Sequence, residues 1–232
     1  MKNYLVVGAS SGIGKVLSEN LANAGHQVFG TFNNTVSGNN TPNLQYHKLD
    51  VLADALNLDF IPDSLDGMAY CPGSINLRPF ARIKPDEFVE DYKLQVVGAV
   101  KIIQTILAKL KASENASIVF FSTVAVQLGF NFHSQVASSK GAIEGLTRSL
   151  AAELAPKIRV NCIAPSLTDT PLAARLLNSD EKREANANRH PLKKIGTAAD
   201  IATAAEFLLT EKSNWITGQI MHVDGGMSSI NV

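Results

Sequence analysis

The segment VVGASSGIGKVL places Gly8, Gly12 and Gly14 directly behind an apolar run and at the opening of a helical pattern. That arrangement suits phosphate chemistry. Glycine permits a tight turn and lets the backbone approach a pyrophosphate, and the first turn of the helix offers unpaired N–H groups at its positive dipole end. Ser10, Ser11 and Ile13 share the turn. A glycine-rich turn without a ligand is the plainer alternative; a strand before and a helix after favour a dinucleotide. Further along, FHSQVASSKGAIEGLTRSLAAEL carries a lone lysine, Lys140, near the start of a second helical pattern. A helix that already includes His133 puts His133, Val136 and Lys140 on one face, at i, i+3 and i+7. Imidazole titrates near neutral pH and is a common general acid, so His133 is a candidate proton carrier; a surface or capping histidine is the plainer reading.

The elements that position these groups alternate along the chain. Tyr4–Val7, Gln27–Phe32, Leu44–Leu49, Met68–Cys71 and Ser117–Phe121 read as strands, followed by IRVNCIA and GQIMHVD. Ile13, Val16, Leu17 and Leu21 share one helical face, and Gly25 supplies its C-terminal stop. Pro85 opens a helix expected to run to about Lys111, its missing N–H doing no harm in a first turn. AADIATAAEFLL is a further helix. This alternation predicts an α/β fold, a single-domain Rossmann-type doubly wound parallel sheet with helices on both faces, over residues 1–232. The polar loop Asn33–Pro42 suits a connection lying over a ligand. Pro171–His190 is helical in pattern and highly charged, and reads as part of a lid at about 167–190, with a solvated pair of surface helices as the alternative.

Composition narrows the partners. Lys+Arg and Asp+Glu each total 21, so a zero net charge argues against broad electrostatic binding of nucleic acid or an anionic membrane. No apolar run approaches the roughly 18 residues of a membrane span, and MKNYLVVGASSGIG lacks a signal-peptide pattern. Cys71 and Cys162 stand far apart with no metal-like spacing, so no metal is expected and two free thiols are favoured over a disulfide. The reading is cytoplasmic.

The glycine spacing is G-x-x-x-G-x-G, and here the chain resembles the short-chain dehydrogenases/reductases. KLDV (Lys48–Val51), RVNCIAPSLTDTPL and HPLKKIGTAADIATAAEFLLTEKSNWITGQIMHVDGG extend the resemblance over essentially the whole chain. It implies that Asp50, beside Val51, accepts from an adenine amino group. Pro72 and Gly73 of YCPG stand in the family's NNAG, and Pro165-Ser166 in its PG, both at the cofactor site. No acidic residue ends the second strand, where Phe32, Asn33 and Asn34 stand, so nothing repels a 2′-phosphate; the resemblance implies NADP, with NAD the alternative. The family's chemistry uses a Tyr acid, a Lys four residues on, a Ser beside the carbonyl and an Asn that holds a water relay. Carried over by position, Lys140 keeps the lysine, Thr123 a hydroxyl and Gln95 an amide, while Val136 keeps nothing of the tyrosine. Tyr70, at the mouth of the fourth strand, is the phenol to watch. The stretch between Asp50 and Tyr70 leaves little room for a helix.

The resemblance thus implies an NAD(P)-dependent oxidoreductase moving a hydride between nicotinamide and a small carbonyl or alcohol substrate. Thr123 would polarise the oxygen, Lys140 would hold the ribose, and His133 or water would handle the proton. The alternative is a catalytically inactive NAD(P)-binding pseudoenzyme with a regulatory or scaffolding role. Family members assemble as dimers or tetramers, which implies a homo-oligomer paired through Pro85–Lys111 and Ser134–Ala155.

Overall fold

A computed structural model describes residues 1–34 and 41–231 of the protein. β1 (Asn3–Val7) leads into α1 (Gly12–Asn23), then β2 (Gln27–Phe32), β3 (Leu44–Lys48) and β4 (Gly67–Tyr70). Next come α2 (Pro85–Tyr92), α3 (Gly98–Lys111), β5 (Ala116–Phe121), a short α4 (Ala125–Leu128), α5 (Ser134–Leu154) and β6 (Ile158–Pro165). The chain continues through β7 (Thr168–Asp169), a 3-10 segment Pro171–Leu176, α6 (Asp180–Asn188), β8 (Gly196–Thr197), α7 (Ala198–Leu209) and β9 (Ile220–Val223). Seven strands form one parallel sheet in the order β3-β2-β1-β4-β5-β6-β9, and β7 and β8 pair separately. The expected α/β fold is therefore present. The chain reverses its winding between β1 and β4, the switch point where α/β sheets open a crevice at their carboxyl ends.

Two cores follow from the period of the strand. Leu5 and Val7 of β1 point to one face and join Met68, Ile118, Phe120 and Val160 beneath α3 and α5. Tyr4 and Val6 point to the other and join Val28, Val119 and Ile163 beneath α1 and α7. Side chains alternate across a strand, so a sheet buried on both faces needs apolar residues in unbroken runs, as in NYLVV and ASIVFF.

No helix forms between β3 and β4, as the short spacing predicted. The connection instead drops Leu58, Ile61 and Leu65 into the core under α3. An irregular segment there must have its carbonyls satisfied. Lys109 Nζ on α3 donates to the Ile61 carbonyl at 2.8 Å and the Pro62 carbonyl at 3.2 Å, and Lys101 donates to the Ala53 carbonyl.

The helix expected across Pro85–Lys111 is not uniform. Between α2 and α3, Lys93–Val97 winds as a π turn. The buried Tyr70 phenol donates to the Leu94 carbonyl at 2.6 Å, anchoring this wider turn to the sheet. A Cβ on Gly98 would collide with that phenol, so glycine lets the helix pass over Tyr70. π turns of this kind recur at functional sites, and this one carries Gln95.

The loop after β3 is a core element here, and truncating its fully buried anchor tests that. Leu65→Ala should lower unfolding stability by about 2–4 kcal/mol, read from the urea midpoint. A change below ~0.5 kcal/mol would show the loop to be a surface covering instead.

Candidate active site

A cavity of about 1060 Å³ opens at the carboxyl edge of the sheet. The β1–α1 turn forms its floor with Gly8, Ser10, Ser11, Gly12, Ile13 and Gly14. Gly8 sits at φ +79 and its N–H is held by Thr31 Oγ1 at 3.2 Å. A Cβ on Gly14 would overlap the Gly8 carbonyl oxygen, so the helix meets the turn more closely than any other residue permits. Ser11 caps α1 with extended backbone but no side-chain hydrogen bond, leaving the first N–H groups of the helix open to an anion.

The other strand ends supply the rest. Asn33 enters from the end of β2, and Asp50 and Val51 follow β3, with Asp50 Oδ1 accepting from the Leu52 N–H at 2.9 Å. Pro72 and Gly73 follow β4, Thr123 follows β5, and Pro165 closes β6. Lys140 and His133 come from the first turns of α5 and the residue before it. The cofactor-binding candidates together with Thr123, His133 and Lys140 therefore line one cavity, and Gln95 does not. The loop Asn33–Pro42 falls mostly on residues 35–40, outside the described residues.

His133 stands just outside the helix, as the N-cap of α5, so the capping reading holds for its backbone. Its Nδ1 lies 2.8 Å from the Asn131 carbonyl and its ring meets Phe130 edge-on at 5.5 Å. The Arg189 guanidinium lies 5.3 Å over the same Phe130 ring, linking the segment after α6 to the loop before α5. Tyr70 is not at the cavity. Burial drives its phenol well above the usual tyrosine range, and its hydrogen is committed to Leu94.

Lys140 reaches its place through a polar cluster that no local sequence pattern announces. Asp91 of α2 is 5% exposed and accepts from Gln95 Nε2 at 2.7 Å, from Ser139 Oγ at 2.6 Å and from Ser74 Oγ. Three donors satisfy a buried carboxylate and join α2, the π turn, α5 and the loop after β4. Gln95 Oε1 is left buried without a partner. A Cβ on Gly73 would lie 3.6 Å from both Gln95 Oε1 and Lys140 Nζ, so the open acceptor and the amine flank the same glycine. Among the described residues Lys140 Nζ makes no hydrogen bond or ion pair. Burial holds its amine below the ordinary lysine value of 10.5, while Cys162, Asp91 and Cys71 pull it back up.

The glycine turn, the uncapped helix and the unpartnered amine fit a dinucleotide phosphate and ribose. Comparison with known proteins agrees. Residues 8–228 match a family model described as enoyl-(acyl carrier protein) reductase. A 3-oxoacyl-[acyl-carrier-protein] reductase of Buchnera aphidicola is 31% identical over 97% of this chain and 97% of its own. This chain is a short-chain dehydrogenase/reductase. A solved family member from Francisella tularensis superposes with a TM-score of 0.88 at 29% identity, over 99% of this chain and 100% of the other. The structure of ElxO with NADP bound shares the fold at a TM-score of 0.87 and 24% identity, over 99% of this chain and 100% of the other. The chain is thus an oxidoreductase-type enzyme by family. No helix among the described residues is long and apolar enough to cross a membrane.

Sequence reading missed Asp91, Ser139 and Ser74. Their types are ordinary, and only the crossing of α2 over α5 brings them together.

An unpartnered ammonium that the cavity wall partly desolvates is a cost to the free protein. Lys140→Met should therefore raise stability by about 1 kcal/mol near neutral pH, measured by urea unfolding. The folded amine titrates below 10.5, so its penalty is full below that folded value and disappears above the unfolded one. The gain should shrink toward zero as pH rises through this window; a variant less stable than wild type at neutral pH would contradict it.

Proposed function

We propose that this chain is an NADP-dependent oxidoreductase that interconverts a carbonyl and an alcohol on a small-molecule substrate. The observation that carries the reading is the convergence, in one cavity, of the glycine cradle with Lys140 and Thr123. When bound, the nicotinamide supplies or receives the hydride. The chain's own groups do the rest. The β1–α1 turn holds the pyrophosphate, Asp50 receives the adenine amino group, and Pro72, Gly73 and Pro165 shape the walls. Lys140 donates to the ribose and places positive charge near the reacting oxygen.

Thr123 is held for its task. Its Oγ1 accepts from the Ala125 N–H at 3.3 Å, which leaves its own hydrogen free to polarise a carbonyl oxygen. His133 or water brings the proton. The choice of NADP over NAD, which keeps NAD as the alternative, rests on charge. Among the described residues lining the cavity Asp50 is the only carboxylate, against four cations, Lys140, Arg175, Lys182 and Arg189. Asn33 and Asn34 end β2 without an acid to repel a 2′-phosphate. Arg175, Lys182 and Arg189 lie on residues 167–190, which serve as the lid of this single domain. Val89, Tyr92 and Val97 are exposed along α2 and the π turn, a surface suited to pairing in a homo-oligomer. Two free cysteines fit the cytoplasm.

One observation favours a second reading, a cofactor-binding pseudoenzyme. Val136, at the position the family gives to its catalytic tyrosine, is buried in the cavity wall and has no proton to donate. A lost general acid typically costs about 10²–10⁴ in rate, which slows a reductase without ending it.

Calorimetric titration with NADPH and NADH, followed by turnover on a carbonyl panel, tests the proposal. NADPH should bind more tightly than NADH, and a ketone should be reduced. Thr123→Val should lower kcat by about 10- to 100-fold with NADPH affinity unchanged, while Lys140→Ala should weaken NADPH binding itself. Tight binding with no turnover on any carbonyl would turn the assignment to the pseudoenzyme; no binding of either nucleotide would overturn both.

A further inference from the structure

Ser166 and His190 form a pair that the catalytic set above leaves unused. His190 is 2% exposed, and both ring nitrogens are engaged. Nδ1 lies 2.8 Å from the Asn186 carbonyl of α6, and Nε2 lies 2.8 Å from Ser166 Oγ. A carbonyl can only accept, so Nδ1 carries a hydrogen and Nε2 is left to exchange a proton with the serine. Ser166 Oγ also stands 3.3 Å from Met227 Sδ. Both residues line the cavity that holds Thr123 and Lys140.

The backbone that presents Ser166 is fixed on several sides. The Val124 N–H donates to the Pro165 carbonyl at 3.1 Å, which joins the strand end carrying Thr123 to the one carrying Ser166. Thr168 Oγ1 donates to the Ser166 carbonyl at 2.9 Å, and the Gly196 N–H to the Leu167 carbonyl at 3.3 Å. On the other side of the ring, a Cβ on Gly225 would lie 3.5 Å from His190 Cβ, so the imidazole is packed against the turn after β9.

Two proton arrangements share these heavy-atom positions. With a neutral ring, the Ser166 hydroxyl donates to Nε2. With both ring nitrogens protonated, Nε2–H donates to Ser166 Oγ, and the hydroxyl hydrogen is released from the ring. Its remaining protein acceptor is then the Met227 thioether, a weak one. A carbonyl oxygen gathering negative charge is a much stronger acceptor and takes that hydrogen in its place.

We infer that Ser166 is the proton donor of the reduction and that His190 reloads it through Nε2. The inference rests on the oxidoreductase reading and gives the proton step, otherwise left to His133 or water, to a defined hydroxyl. As hydride adds to the carbonyl carbon, the C=O electron pair moves onto oxygen, and that oxygen takes the Ser166 hydroxyl proton. Ser166 Oγ takes the Nε2 proton, and His190 is left neutral with Nδ1–H still on Asn186. Water returns a proton to Nε2 before the next cycle, and alcohol oxidation runs the same transfers backward. His133 lacks such a device: its Nδ1 is spent on Asn131 within its own loop, and no hydroxyl is bonded to its ring among the described residues.

The test uses the full chain with NADPH and ethyl acetoacetate as the ketone probe, calorimetry for NADPH affinity, and NMR of isotope-labelled histidine. Ser166→Ala should lower kcat by about 10²-fold with KM and NADPH affinity little changed, and Ser166→Thr, which keeps the hydroxyl, should recover most of the rate. His190→Gln should lower kcat comparably without weakening NADPH binding. In its neutral form His190 should be the Nδ1–H tautomer, and Ser166→Ala should move its Nε2 resonance. Wild-type kcat in Ser166→Ala would overturn the inference and leave the oxidoreductase reading standing. An Nε2 resonance unmoved by Ser166→Ala would overturn it without any reference to turnover. Wild-type protein that binds NADPH but reduces no ketone would overturn the oxidoreductase reading, and this inference with it.

Discussion

The close approach of α1 to the turn after β1 is the constraint on which the site depends. At Gly14 there is no room for a single carbon between the helix and the Gly8 carbonyl. That contact sets the helix end over the switch point of the sheet and turns its free N–H groups toward the crevice. Gly8 and Gly12 adopt positive φ so that the chain can make the turn at all. The remaining strand ends then arrange themselves around a crevice whose position β1 and α1 have already fixed.

The opposite wall is held by charge. Asp91, saturated by three donors, ties α2 and α5 to the loop after β4 and leaves Gln95 Oε1 and Lys140 Nζ open beside Gly73. The protein keeps a buried acceptor and a half-buried amine without internal partners on the same side of the cavity, where the proposed cofactor ribose would supply them. Unsatisfied groups of this kind are costly in a folded protein and gather where a ligand completes them. The same wall carries a valine, Val136, one helical turn from the lysine.

The inner strands of the main sheet were legible because each is an apolar run bounded by turn residues, the two-residue strands β7 and β8 were not read, and Gln27–Phe32 and Ala198–Leu209 were placed to the residue. The glycine turn was legible because its strand, spacing and helix are contiguous. The missing helix between β3 and β4 could be read from a spacing short for the family the chain resembles. The π turn at Lys93–Val97 could not, since the apolar positions on either side read as one continuous helix; within it the Leu94 carbonyl accepts from the Tyr70 phenol. The Asp91 cluster and the Ser166–His190 pair were equally invisible. Their members lie up to 65 positions apart, from Ser74 to Ser139, and nothing local distinguishes a serine that faces a carboxylate from one that faces water. Ser166 drew notice only as a departure from the family's glycine, and His190 gave no signal until the chain after α6 brought it against Ser166 and the turn after β9.

By the proposed chemistry this site still transfers hydride. The most direct measurement follows the label itself: NADPH deuterated at the transferring position is incubated with the protein and ethyl acetoacetate, and the alcohol is analysed by mass spectrometry. Deuterium on the carbinol carbon, absent when the protein is omitted, is the predicted result. Recovery of unreacted ketone and fully labelled NADPH, from protein that demonstrably binds the nucleotide, would contradict the account and leave a cofactor-binding fold without the chemistry.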